Sequence, residues 1–224
     1  MHHGSARTIA AKAISSPKAR SARFAALAAV ALALYVTLGA AVSWRPPTPF
    51  DLAGQAFLGH GLRLAYVAYR SGLFSTYAIL CVLTIVAAIR LPRWRGRAAF
   101  TIGALLLTWV ISDRFKEFFH RPRPDHWLLV HETSASYSSG HAALGLSFYG
   151  LWALIIWLSD LPLAVRAVAA AALFGWDAVI DWSRLAMGAH FPTDIVGGWL
   201  LATAVVCGLR AATLVVEAKP ARLE

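Results

Sequence analysis

Three groups of polar residues interrupt an otherwise strongly apolar sequence, and each contains side chains suited to phosphate chemistry. The groups are Lys116 and Arg123; Ser139, Gly140 and His141; and Arg184, His190 and Asp194. Arginine forks and lysine ammonium groups bind phosphate oxygens, and a helix start that contains glycine adds backbone N–H donors. A histidine held by a carboxylate can act as a nucleophile. These residue types together predict a site that binds a phosphate group and transfers it.

The third group carries the most specific spacing. Pro192 suits the first turn of a helix, which places Asp194 near the positive end of that helix. Asp194 can then hold one ring nitrogen of His190 and leave the other free to attack or bind. The ordinary structural alternative is a surface loop with a salt bridge between Arg184 and Asp194.

The other two groups also have ordinary explanations when each is taken alone. Lys116 can be a lysine that extends to a membrane surface, and Ser139 can simply cap a helix that carries an interfacial histidine, His141. These explanations do not account for cations, histidines, a glycine-containing helix start and an aspartate on one membrane face. A bound phosphate group accounts for all of them.

A metal site is the competing chemical interpretation of the same region. Its possible ligands are His141, His190, Asp194, His120, His126 and His131. Lys116, Arg123 and Arg184 would repel a divalent cation, and they already supply the positive charge that a metal gives to phosphoryl transfer. We therefore predict no metal and no other cofactor.

The composition predicts that membrane-spanning helices position these residues. The chain is 58% hydrophobic and 14% charged, whereas soluble proteins carry about a quarter charged residues. Six apolar stretches approach the roughly 20 residues needed to cross a bilayer: 24–42, 73–89, 98–119, 142–158, 163–180 and 195–216. Backbone groups in lipid require helices. We expect an all-α bundle of six transmembrane helices that forms one domain over residues 1–224.

Two parts of this layout have alternatives. The first stretch can be a cleaved signal peptide, since basic residues precede it and small residues lie near Ala40. The segment 51–72 can be an interfacial helix, because Arg63 and Arg70 share a helical face, or a loop that leads into the second span.

The distribution of positive charge predicts the orientation. Thirteen of the 21 lysines and arginines fall on one side if both termini are cytoplasmic, and the short loop "RLPRWRGR" is the clearest inward signal. This puts the N-terminal segment 1–22 and the tail 217–224 in the cytoplasm and all three polar groups outside. The net charge of +10 then needs no nucleic-acid partner. The alanine- and arginine-rich composition indicates a bacterial inner-membrane protein.

The three groups resemble the motifs KxxxxxxRP, PSGH and SRxxxxxHxxxD of the type 2 phosphatidic acid phosphatase family, within the acid phosphatase and vanadium haloperoxidase superfamily. The first runs from Lys116 to Pro124 and the third from Ser183 to Asp194, both with the full spacing. The second reads "SSGH", with Ser138 in place of proline. This change loosens the turn but removes no group expected to touch phosphate.

The resemblance implies a role for each residue. His190 corresponds to a nucleophile that forms a phosphohistidine, with Asp194 orienting it, and His141 to the acid that protonates the leaving lipid oxygen. The phosphate-binding residues would be Lys116, Arg123, Ser139, Gly140 and Arg184. No role is implied for Asp113, Arg114, Arg121, Asp125, Asp177 or Asp181, although the spacing of Asp177 and Asp181 allows them to pair with the basic cluster.

We expect a metal-independent lipid phosphatase acting on a phosphomonoester or pyrophosphate. Undecaprenyl pyrophosphate, phosphatidic acid, phosphatidylglycerol phosphate and lipid A phosphates all fit. The outer loop 124–137 is expected to help select the head group, although its sequence carries no recognisable pattern. The alternatives are a phosphotransferase that passes the phosphoryl group between lipids, a haloperoxidase-like protein, and a non-catalytic lipid transporter.

Overall fold

The computed structural model describes residues 16–218, and these residues form helices joined by short loops and one long loop. The helices are α1 (Pro17–Ser43), α2 (Pro49–Ala53), α3 (Leu62–Ser71), α4 (Phe74–Arg90), α5 (Arg95–Phe119), α6 (Gly140–Trp157), α7 (Leu163–Ala186) and α8 (Pro192–Glu217). A single π-helical turn, Leu146–Gly150, lies within α6. The predicted all-helical class is confirmed.

Five of the helices are long and apolar enough to cross a membrane: α1, α6, α7, α8, and α5 together with the turn before it. The second predicted span, 73–89, corresponds to α4, which passes the same test only together with α3, and the two helices meet at a bend of 54°. Apolar side chains such as Leu27, Ile79 and Val168 are more than half exposed, as expected of a surface that faces lipid. The chain is therefore an integral membrane protein with five or six spans.

Several helices extend beyond the predicted spans. α1 begins at Pro17, capped by Ser16, because hydropathy marks the apolar centre of a helix and not its polar first turns. α7 continues to Ala186, six residues past its predicted end at 180, and thereby includes Arg184. The predicted cytoplasmic segment 1–22 is described only from residue 16, and the tail 217–224 only to residue 218.

The segment 51–72 contains a helix of its own. α3 buries Ala65 and Ala68 and exposes Arg63 and Arg70, which is the amphipathic pattern expected of an interfacial helix. It packs against α7 and brings Tyr69 to the polar region of the molecule. The loop alternative is wrong, because residues 62–71 are helical, and the amphipathic pattern of α3 agrees with the interfacial-helix alternative.

Close packing joins the beginnings of α6 and α8. A Cβ atom at Gly198 would lie 2.8 Å from the Ala142 Cβ and 2.8 Å from the Ser139 carbonyl oxygen, so only glycine fits. The Ser139 backbone N–H also donates to the Asp194 carbonyl oxygen at 3.0 Å. The second and third polar groups of the sequence are therefore held side by side.

Candidate active site

A cavity of about 250 Å³ opens beside the N-terminus of α6. Its polar lining consists of Ser112, Asp113, Lys116, Glu132, Ser134, Gly140, His141 and His190. Apolar residues complete the wall, including Phe74 and Trp109, whose rings stack at 4.6 Å and are each about two-fifths exposed. The cavity thus joins a charged region to an apolar, lipid-facing surface.

His190 is buried in the short turn between α7 and α8. Gly188 makes this turn possible with a φ of +67°, a conformation that disfavours side chains. The Nε2 atom of His190 accepts from Arg123 Nη1 at 3.1 Å, and its Nδ1 atom lies 3.4 Å from Asp194 Oδ2. Burial, with the positive charges of Arg123 and Arg184, lowers the pKa of His190 well below its ordinary value. The ring is therefore neutral near neutral pH, with Nδ1 the nitrogen that can donate to Asp194.

Asp194 is fully buried in the first turn of α8, and both of its oxygens are occupied. Its Oδ2 atom accepts from the Phe191 backbone N–H at 2.8 Å and from the Ser136 hydroxyl at 2.5 Å. Its Oδ1 atom accepts from Arg121 Nη1 at 2.6 Å. The Ser136 hydroxyl also lies 3.4 Å from His190 Nδ1, so it contacts both members of the pair.

Arg121 extends this network away from the cavity. Its guanidinium group is buried and bridges Asp194 to Asp51, with Nη2 donating to Asp51 Oδ2 at 2.9 Å. Asp51 also accepts from the backbone N–H and the hydroxyl of Thr193. Burial disfavours the charged form of Asp51, but these hydrogen bonds and the Arg121 charge outweigh it and lower the pKa of Asp51.

Arg123 and Arg184 converge on the carboxylate of Glu132. Arg123 Nη2 lies 2.8 Å from Glu132 Oε2, and Arg184 Nη2 contacts Oε1. Arg184 is completely buried, its guanidinium lies over the Tyr69 ring, and its Nε and Nη1 atoms have no hydrogen-bond partner among the described residues. Burial disfavours the charged form of Glu132, but the nearby cations outweigh it and lower the pKa of Glu132 to about 2. The two arginines form an anion site that a carboxylate occupies.

The remaining predicted residues divide between the cavity and the scaffold. The Lys116 ammonium contacts the Ser134 hydroxyl at 3.4 Å, and His141 Nε2 lies 3.2 Å from the Tyr69 carbonyl oxygen, which accepts from it. Ser139 differs from the other members of its group. It is fully buried, its hydroxyl accepts from the Ala142 backbone N–H at 3.5 Å, and it is not part of the cavity lining. Its position is that of a helix cap.

The sequence profile of the PAP2 superfamily matches residues 97–216, just over half of the chain and all three polar groups. The chain belongs to the PAP2 superfamily.

Two curated relatives are named as lipid phosphatases. Phosphatidylglycerophosphatase B of Bacillus subtilis is 36% identical over 106 residues, which is 44% of this chain and 52% of the relative. Lipid A 1-phosphatase of Rhizobium etli is 29% identical over 147 residues, 54% of this chain and 59% of the relative. The matched regions thus span between half and three-fifths of these relatives.

Two crystal structures share the PAP2 fold with this chain. A transmembrane PAP2-type phosphatidylglycerolphosphate phosphatase from Bacillus subtilis superposes with a TM-score of 0.67 at 20% identity, over 88% of this chain and 99% of that one. LpxE from Aquifex aeolicus gives a TM-score of 0.50 at 22% identity, over 81% and 94%. At these identities the likeness shows the fold.

Several residues that contact the predicted ones were not predicted from the sequence. Arg121 was set aside, and Asp51, Glu132, Ser136 and Thr193 were not considered. Asp51 lies more than sixty residues before the first motif and is linked to it only by folding. The one available signal was the cost of placing a charged residue such as Arg121 beside a membrane span, which implies a partner.

The acidic pair on α7 has partners other than the basic cluster. Asp181 Oδ2 accepts from Trp199 Nε1 at 2.7 Å, whereas Asp177 Oδ1 is buried and has no hydrogen-bond partner within the described part of the chain. Neither residue forms an ion pair in residues 16–218.

The metal interpretation also named three histidines outside the motifs. His120, His126 and His131 are exposed, and in residues 16–218 no three His, Cys, Asp or Glu side chains are grouped as potential metal ligands.

Proposed function

We propose that this chain hydrolyses a phosphomonoester or pyrophosphate of a membrane lipid, through a phosphohistidine at His190 and without a metal. The observation that supports this most directly is the position of His190. A buried, neutral histidine lines a cavity that also contains Lys116, and its Nε2 atom touches Arg123. A nucleophile, an anion site and an apolar wall in one cavity fit an amphipathic phosphate ester.

In the first step, the Nε2 lone pair of His190 attacks phosphorus. Arg123, Arg184 and Lys116 bind the phosphate oxygens and stabilise the charge that develops on them. The bond between phosphorus and the lipid oxygen breaks, and His141 donates a proton to that oxygen. Asp194 balances the positive charge that the phosphorylated imidazole acquires, as its contact with Nδ1 allows.

In the second step, water attacks the phosphohistidine. His141, now lacking the proton it gave away, accepts a proton from the water as the new P–O bond forms. The N–P bond breaks, and its electron pair returns to Nε2 of His190. Orthophosphate leaves, and both histidines regain their starting protonation.

The apolar side of the cavity supports a lipid rather than a soluble substrate. Phe74 begins α4 and Trp109 lies within α5, and both are partly exposed on the lipid-facing surface. An acyl or prenyl tail in the bilayer can lie along these rings while its phosphate reaches Lys116. The excess of lysine and arginine at the opposite ends of the spans supports a site that faces outwards from a bacterial inner membrane, with cytoplasmic termini.

The names of the relatives favour two substrates for the first trial, phosphatidylglycerol phosphate and a lipid A 1-phosphate. Undecaprenyl pyrophosphate and phosphatidic acid carry the same chemical groups. The test measures orthophosphate release from each lipid in detergent micelles that contain EDTA. Wild type is compared with His190→Ala and with His60→Ala, a control at an exposed histidine.

Release that survives EDTA and the control substitution, but is lost in His190→Ala, is the expected result. A labelled substrate should also leave acid-labile, base-stable phosphate on wild-type protein and none on His190→Ala. Loss of release in EDTA would refute the metal-free mechanism. Appearance of label in another lipid, without free orthophosphate, would favour the phosphotransferase.

A further inference from the structure

Glu132 occupies the position where the proposed function requires a phosphate group. Its carboxylate contacts Arg123 and Arg184 together, and it lines the same cavity as His190 and Lys116. Arg123 touches both Glu132, through Nη2, and the His190 Nε2 atom, through Nη1. An anion held by these two arginines therefore lies next to the nucleophile. In this structure the anion is a side chain of the protein itself.

The Glu132 carboxylate pairs with only some of the hydrogen-bond donors and balances only part of the positive charge at this site. Arg184 Nε and Nη1 are buried without a partner within residues 16–218, and the Lys116 ammonium contacts only the Ser134 hydroxyl at 3.4 Å. Three cations thus face one negative charge. Unpaired buried donors cost free energy, so a ligand with more oxygens and more charge than a carboxylate is favoured.

A phosphomonoester and a phosphodiester differ in the number of free oxygens and in negative charge. The monoester group carries three free oxygens and up to two negative charges, whereas the diester carries two free oxygens and one charge. A diester therefore offers Arg123 and Arg184 little more than Glu132 already provides. Glu132 is also attached to the chain, which gives it a high effective concentration at the site.

We propose, on the basis of the lipid phosphatase function above, that Glu132 is a tethered competitor that sets the affinity threshold of the phosphate site. It raises the dissociation constant of every competing anion by the same factor. Phosphomonoesters and pyrophosphates still bind after displacing it, while the phosphodiester head groups of surrounding lipids bind too weakly to hold the site. The carboxylate is about one-fifth exposed, so it can move aside without unfolding of the loop.

The test measures binding of two small probes to the full chain in detergent at pH 8 by titration calorimetry. Inorganic phosphate represents the doubly charged group, and dimethyl phosphate represents the diester. The variants are Glu132→Gln, which removes the charge at nearly constant shape, and Glu132→Ala, which removes the oxygens as well. Glu117→Gln is the matched control, because Glu117 is exposed and its one ion pair within residues 16–218 is with exposed Arg114.

Both Glu132 variants should bind each probe more tightly, with dissociation constants roughly tenfold lower than in wild type, while the control stays unchanged. The factor should be the same for both probes, because removal of a competitor favours all ligands equally. In micelles, lipid phosphatase activity of Glu132→Gln should become sensitive to added dimethyl phosphate at concentrations that wild type tolerates.

Two results would overturn this inference alone. Unchanged or weaker phosphate binding in both variants, with wild-type binding intact, would mean that Glu132 supports the site and does not compete for it. Factors that differ more than about threefold between the probes would mean that Glu132 stays in contact with the bound ligand. If neither wild type nor the variants bound inorganic phosphate, the phosphate site itself would be absent, and the proposed function would fall as well.

Discussion

Arg121 and Arg123 are two residues apart in the chain and both are buried, yet they belong to opposite kinds of ion cluster. Arg121 lies in a closed network with Asp51, Thr193 and Asp194, where protein acceptors surround it. Arg123 belongs to an open cluster beside the cavity, with Arg184, Lys116 and Glu132. We refer to these as the closed network and the open cluster.

The two clusters carry opposite formal charge. The closed network has two carboxylates and one guanidinium, and the open cluster has three cations and one carboxylate. His190 lies between them, with Nδ1 towards Asp194 and Nε2 towards Arg123. The difference teaches that an arginine in a cluster rich in carboxylates orients another side chain. A cluster with excess cations, in which Arg184 keeps two unpaired nitrogens within residues 16–218, can instead bind a ligand. Four substitutions test this division.

The largest effect on stability is expected in the closed network. Arg121→Gln leaves Asp51 and Asp194 buried without their cation, which should lower the free energy of unfolding by about 3–5 kcal/mol. Denaturant unfolding in detergent measures the change. Arg114→Gln, which removes an exposed arginine, should cost less than about 1 kcal/mol. Equal stability of the two variants would show that the closed network does not stabilise the fold.

A substitution in the open cluster should lower activity rather than stability. Arg184→Lys keeps the charge but loses the planar fork, and we expect kcat/KM to fall roughly 10²- to 10³-fold. Thermal unfolding should change little, since two of the Arg184 nitrogens have no partner to lose in residues 16–218. Arg210→Lys, at the other end of the bundle, is the control. A large loss of stability without loss of kcat/KM would reverse the assignment of Arg184.

Ser136 contacts both Asp194 of the closed network and His190, and its removal should have a smaller effect. Ser136→Ala removes the hydrogen bond to Asp194 Oδ2 and leaves Asp194 held by Arg121 and the Phe191 N–H. We expect kcat to fall about tenfold with little change in KM, as for other groups that orient a catalytic side chain. Steady-state kinetics with Ser134→Ala as a comparison would separate orientation from binding. A change confined to KM would contradict the orienting role.

The most subtle effect concerns pH. His190 attacks as the neutral ring, so activity is lost as pH falls through its pKa, which burial, Arg123 and Arg184 hold well below the ordinary value. Arg123→Gln removes one of these positive charges and should raise that pKa, which moves the acid limb of kcat/KM to higher pH. Arg121→Lys should leave the limb in place. A limb that moves in neither variant, or only in Arg121→Lys, would contradict the charge assignment.

Much of the fold could be predicted because each signal is local. The apolar stretches predicted the spans, and Pro192 predicted the start of α8, which begins at that residue. The misjudged boundary at Ala186 has a physical cause, since charged residues such as Arg184 lower the hydropathy of a helix without ending it. The bend between α3 and α4 was not predicted, because hydropathy reports which stretches are apolar and not the angle at which two helices meet.

Part of the candidate site was also accessible from the sequence. The motif residues Lys116, Gly140, His141 and His190 line one cavity, as their spacing and the helix-start signals suggested. Ser139 differs because a serine at a helix start can face a ligand or cap the helix, and the sequence pattern is the same for both. The partner of each buried charge could not be predicted from spacing.

The sequence by itself determined the helical membrane class, the residues of the three motifs and the chemistry those residue types allow, because periodicity, hydropathy and side-chain chemistry are properties of short stretches. Only the tertiary structure decided which arginine contacts Asp194 and which contacts Glu132 and the His190 Nε2 atom. Asp51 reaches Arg121 across 70 residues and Glu132 reaches Arg184 across 52. Buried charges must find partners wherever packing places them, so these pairings follow from how the helices assemble.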